Sequence, residues 1–103
     1  MNITQVEYWA EKLPQEPWLR LPAKAGKDGT TETSSNFEDF EAFRNSKPSE
    51  RSLQRTAKIR GKSTSLMERL SSRFWWVPRA AAWDRHIAEV ADGERTAARP
   101  KRG

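Results

Sequence analysis

The stretch RSLQRTAKIRGKSTSLMERL, residues 51–70, decides the fold. LQRTAKIR reads as one short helix, capped by Ser49 or Ser52 and ended at Gly61. Ser63 caps a second, TSLMERLSSRF, which turns Leu66, Met67 and Leu70 inward. Between them lies a tight turn at Arg60, Gly61 and Lys62. Ala57, one helical turn before Gly61, supplies the small side chain that two steeply crossing helices need where they touch. Gly61 supplies a residue tolerant of positive φ. Met67 and Leu70 follow Gly61 by six and nine residues. This is the spacing of a helix-turn-helix, whose second helix enters the major groove. One position departs from the pattern. Just before the turn the inner face calls for an apolar residue, but Arg60 stands there and Ile59 is displaced by one.

The charge is concentrated around the same stretch. Of the net +5, residues 49–79 contribute +6: Arg51, Arg55, Lys58, Arg60, Lys62, Arg69, Arg73 and Arg79 against Glu50 and Glu68. The remaining segments nearly cancel one another. A concentrated basic block points to a polyanionic partner, here double-stranded DNA.

Upstream, Asn36 is placed to cap a helix bearing Phe37, Phe40 and Phe43 on one face, broken at SKPS. Downstream, Pro78 suits the first turn of a fourth helix, RAAAWDRHIAEVA. Its inner stripe is Ala80, Trp83, Ile87 and Val90 or Ala91, and Gly93 is expected to stop it. The fold class is therefore all-α: a small bundle of about four helices containing a helix-turn-helix, with a flexible N-terminal segment and a C-terminal tail. The expected divisions are residues 1–35, 36–92 and a polar basic tail at 93–103. Within the first, AKAGKDGTTETSS is a linker by composition. Residues 1–22 are more apolar, and ITQVEYWAEKL has the length of about two helical turns, ended near Pro14. Tyr8, Trp9 and Trp18 there either cover apolar surface of the domain or dock onto a protein partner.

On the recognition helix the outward residues are Ser63, Thr64, Ser65, Glu68 and Arg69, with Ser72 and Arg73 further along. Arg69 is suited to guanine edges or phosphate, Ser and Thr to either, and Glu68 to a cytosine amino group or to orienting Arg69. Arg60, Lys62 and the helix N-terminal amides are suited to the phosphate backbone. FWWVPRAAAW, residues 74–83, is read as core rather than a base-stacking platform, with Trp75 the exception at the surface.

Other chemistry finds little support. There is no cysteine, and the single His86 cannot build a metal site alone. GKS at 61–63 lacks the glycine five residues earlier that a phosphate loop needs, because Thr56 stands there. Glu38, Asp39 and Glu41 read as a solvated face, and His86 as a half-exposed surface residue. No enzyme activity, cofactor or metal is expected. No apolar run approaches the roughly 20 residues of a membrane span. MNITQVEYWAEKL lacks the order of a secretory signal, so a cytoplasmic location is expected.

The run RSLQRTAKIRGKSTSLMERLSSRFWWVPRAAAWDRHI resembles the helix-turn-helix segment of phage and prophage proteins of the small-terminase type. RSL at 51–53 matches the opening, GKS at 61–63 the turn and LMER at 66–69 the recognition helix. SSR at 71–73 matches that helix's end, and Trp76, Val77 and RAAAWD at 79–84 the closing helix. FEDFEAFRN is similar to the aromatic helix that precedes it. Leu70 stands where the family usually has tryptophan, and Arg60 where it has an apolar residue. The resemblance implies viral DNA recognition for packaging in the bacterial host cytoplasm. Transcription regulation by the same module and an adaptor role through the N-terminal aromatics are the alternatives. Homo-oligomers are common where one short helix reads few base pairs, and a self-association partner stays open.

Overall fold

The computed structural model describes residues 13–98. Among them are four helices and no strand: α1 Ser34–Arg44, α2 Leu53–Arg60, α3 Thr64–Arg73 and α4 Trp76–Ala98. The expected all-α bundle is what the chain forms.

α1 begins earlier than its sequence suggested. Thr33, not Asn36, is the cap, and its hydroxyl accepts the Asn36 N–H at 3.1 Å. In TETSSN two good capping residues lie three apart, and the earlier one takes the role. Phe40 and Phe43 are buried, while Phe37 packs against them from the edge.

At α2, Ser52 is the cap and accepts the Arg55 N–H at 3.0 Å. Gly61 ends the helix at φ 65°, and the Lys62 N–H donates back to the Ala57 carbonyl at 2.9 Å. That bond satisfies a carbonyl left open at the helix end. A Cβ at Gly61 would meet nothing within 4 Å, so the backbone angle rather than crowding calls for glycine. Ser63 then caps α3 through the Leu66 N–H at 3.1 Å. Met67 and Leu70 point into the core beside Ala57, as the spacing required.

Two residues, Phe74 and Trp75, join α3 to α4. Trp75 adopts φ 52°, a left-handed conformation costing a bulky residue about 1 kcal/mol or more. The sharp turn has a visible return, because it places the flanking Phe74 and Trp76 rings both fully inside. Trp76 lies 5.4 Å from Phe43 and 6.0 Å from Phe40, centroid to centroid and tilted in each case. Such offset aromatic pairs add to burial itself. The rings of residues 74 and 76 are therefore core, and Trp75 is half-buried at the edge.

α4 departs from its expected limits at both ends. It starts at Trp76 and continues through Gly93 to Ala98. Pro78 falls in the first turn, where no backbone donor is needed. Glycine inside a helix costs only about 1 kcal/mol relative to alanine, and no proline follows until Pro100. Residues 93–98 are thus helix and not a loose tail. The inner stripe also ends sooner than expected. Ala80 is buried and Trp83 half-buried, but Ile87 and Val90 are exposed because the helix has outrun the rest of the bundle.

A further correction concerns residues 23–35. Their linker-like composition conceals a packed segment that closes over the bundle. Leu21 belongs to the core, with Ala25 packed against it. Gly26 sits so close to the Phe74 ring that a Cβ there would lie 2.8 Å from it. Glu32 is fully buried and meets the equally buried Arg79 in a two-pronged pair, at 2.8 and 3.0 Å. Arg79 also donates to the carbonyls of Pro17, Leu19 and Phe74, and its guanidinium lies 3.9 Å from the Phe40 ring centroid. Burial pulls the Arg79 pKa down from its ordinary value, and the Glu32 carboxylate acts against that. One arginine thereby ties the N-terminal segment to α4 and α1.

Candidate nucleic-acid interface

The candidate interface is built on α2, the turn and α3. Ser63, Thr64, Ser65, Glu68, Arg69 and Ser72 are all exposed, while Met67 and Leu70 on the opposite face are buried. α3 thus presents the outward row that its sequence implied. Its N-terminal amides are partly used by the Ser63 hydroxyl.

The cations behave less simply. Arg51 makes a fork-to-fork pair with Asp84 at 2.7 and 2.8 Å and donates to the carbonyls of Phe43, Arg44 and Ser46. It holds the α1–α2 connection against α4. Arg55 lies 3.5 Å from Glu50, and Arg73 lies 3.4 Å from Asp28. The Asp28 carboxyl is held below its usual pKa, first by the Thr30 hydroxyl and to a lesser degree by Arg73. Six of the eight cations in the basic block therefore face a carboxylate. Among the described residues, Lys58 and Arg69 have no ion-pair partner, and both are exposed.

Arg60 and Lys62 were expected to be free for phosphates. Both instead converge on Asp39, at 2.8 Å from the Arg60 Nε and 2.9 Å from the Lys62 Nζ, with Glu38 3.4 Å from Arg60. Asp39 was expected on a solvated face, yet its side chain is only 1% exposed. This resolves the departure noted before the turn. The inner face opposite Arg60 carries a carboxylate rather than an apolar wall, and Ile59 stays at the surface. The hydrogen bond from Arg60 to Asp39 raises the Arg60 pKa above its ordinary value. The two cations remain about 30% exposed, so their outer faces stay open to a ligand.

Replacing Asp39 by alanine separates these roles. It leaves two cations without their shared acceptor and is expected to cost about 2 kcal/mol, read as a lower urea midpoint. Any duplex-DNA affinity should become more salt-dependent, with a slope steeper by up to about 2 as both cations turn to phosphates.

The N-terminal aromatics divide. Tyr8 and Trp9 lie outside the described residues. Trp18, expected as a partner contact, is stacked on His86 at 4.2 Å with an interplanar angle of 16°. It also lies 6.2 Å from Trp83, and its carbonyl accepts from Arg44. Arg44 in turn sits 4.6 Å from the Trp83 ring centroid, and burial lowers its pKa despite the nearby Glu41. Trp18 is thus committed to its own chain. His86 is half-exposed, as expected, but stacked.

An apolar groove of about 730 Å³ runs between residues 13–18 and the outer face of α4, floored by Trp75, Val77, Pro78, Ala81 and Ala82. Ser72, expected at the DNA face, also lies on its wall. Sequence reading missed this groove, although Val77, Ala81 and Arg85 at four-residue spacing carry its signal.

Among the described residues no group of three metal-ligating side chains occurs, and no helix is long and apolar enough to cross a membrane. No family model, curated protein or solved structure matches this chain, so the functional reading rests on residues and geometry.

Proposed function

We propose that the chain is a non-enzymatic double-stranded DNA-binding protein that reads DNA through α3, in the manner of the small-terminase type it resembles, acting on viral DNA in the host cytoplasm. The observation that carries this reading is the exposed row Thr64, Ser65, Glu68 and Arg69 on a helix set against α2 by the left-handed Gly61. Arg69 supports a base-reading role most directly, since among the described residues its guanidinium faces no carboxylate and a fork of donors suits the guanine edge. Lys58, and the open sides of Arg60 and Lys62, supply the phosphate contacts that fix register.

The test is selection of preferred duplexes from a random pool, followed by comparison of the parent and Arg69→Ala. Loss of the arginine should cost about 1–3 kcal/mol on the preferred sequence and much less on random duplex. Equal losses on both would reduce Arg69 to a phosphate contact.

A further inference from the structure

We propose that the turn at residues 24–31 is a second contact to the DNA backbone, in which Lys27, beside Arg73, holds a phosphate at the far edge of the groove that α3 enters. The inference rests on the DNA-binding reading above and adds to it an element outside α2 and α3.

In sequence this segment is electrically neutral, with Lys24 and Lys27 against Asp28 and Glu32. Packing changes the balance. Glu32 is fully buried against Arg79, and Asp28 lies 3.4 Å from Arg73. Lys24 and Lys27 are left exposed, with no ion-pair partner among the described residues. A lysine is a compact point charge, suited to phosphate rather than to a base edge.

The turn holds that charge in a fixed place. The Gly26 N–H donates to the Thr30 carbonyl at 2.8 Å, and the Lys24 N–H to the Thr31 hydroxyl at 3.0 Å. Its tip is tied to α3, because the Lys27 N–H donates to the Arg73 carbonyl at 2.8 Å. That bond satisfies one of the carbonyls left open at the end of a helix. Lys27 also shares a wall with Ser72, the last exposed residue of the outward row on α3. It therefore continues that row past the helix end.

The spacing suits a duplex. α3 has ten residues, a length of roughly 15 Å. Arg60 and Lys62 stand at one end of it, Arg73 and Lys27 at the other. A major groove is about 12 Å wide. Cations at the two ends of a helix lying across it reach the phosphates of both strands.

The test is duplex binding by fluorescence anisotropy over a salt series, on preferred and random sequences. The full chain is compared with Lys27→Ala, Lys27→Arg and Asp28→Asn, and urea midpoints monitor the fold. Lys27→Ala keeps the backbone bond to Arg73, so its midpoint should match the parent. Its log affinity should fall less steeply with log salt, by about one. The fold-loss should be equal on both duplexes, since a phosphate carries no sequence information. Lys27→Arg should restore the slope. Asp28→Asn keeps an acceptor for Thr30 but releases Arg73, so its slope should steepen by up to about one. An unchanged slope in Lys27→Ala, while the parent binds and Arg69→Ala weakens binding, overturns this inference and leaves the reading of α3 standing. A loss confined to the preferred sequence overturns it as well, by making Lys27 a base contact. No duplex binding by the parent overturns both.

Discussion

Glu32→Gln is expected to lower stability by about 3–5 kcal/mol, the range for removing one member of a buried ion pair. The reason lies in what remains. Arg79 keeps its charge and its place, fully enclosed, with the carboxylate that met two of its nitrogens gone. A neutral amide in place of the carboxylate can accept from the guanidinium but cannot balance its charge. Arg79→Met is expected to cost a similar amount, since it strands the Glu32 carboxylate and frees the carbonyls of Pro17, Leu19 and Phe74. Removing both charges together should cost much less than the two single losses added, because the double variant leaves no unpaired ion. Urea midpoints of the four proteins provide the cycle. Additive losses would mean that the pair is not coupled as its geometry requires.

Trp76→Ala carries the other large effect, about 3–5 kcal/mol. The indole is fully buried and packs on the α1 phenylalanines, so its removal leaves a cavity among rings held by α1. Among the described residues its Nε1–H also has no hydrogen-bond partner. Trp76→Phe removes that orphaned donor while keeping one ring, so it should cost well under the alanine value. Val77→Ala, one residue along and exposed, should stay within about 0.5 kcal/mol of the parent. Thermal unfolding of the three variants distinguishes a core residue from a surface base-stacking ring, because a stacking ring at position 76 would affect binding and leave stability nearly unchanged.

The helix-turn-helix was legible because its constraints are local. Ser52, Ala57, Gly61, Ser63, Met67 and Leu70 lie within 19 residues, and each is chosen by backbone geometry or by one helix face. Charge pairing was not legible for the converse reason. Asp39 meets Arg60 across 21 residues, and Glu32 meets Arg79 across 47. In one dimension these appear as an acidic helix, a polar linker and a basic block, and only the packing shows that they neutralise one another. The candidate interface was affected in the same way. Its exposed row on α3 followed from periodicity, whereas the engagement of Arg60 and Lys62 with Asp39 depended on where α1 lies. The end of α4 was missed because one glycine was read as a stop. Glu89 and Ala91 before it and Glu94, Arg95, Ala97 and Ala98 after it have good helix propensity and carry the helix through it.

The proposed role of this fold is binding of duplex DNA through α3 and the turn before it. The most direct measurement is fluorescence anisotropy of the full chain on duplex DNA across a salt series, with Arg69→Ala and Lys58→Ala alongside. The expected result is binding whose log affinity falls linearly with log salt, the slope becoming shallower by about one when a phosphate-contacting cation is removed. No measurable binding of duplex at low salt, with the protein folded, would contradict the account.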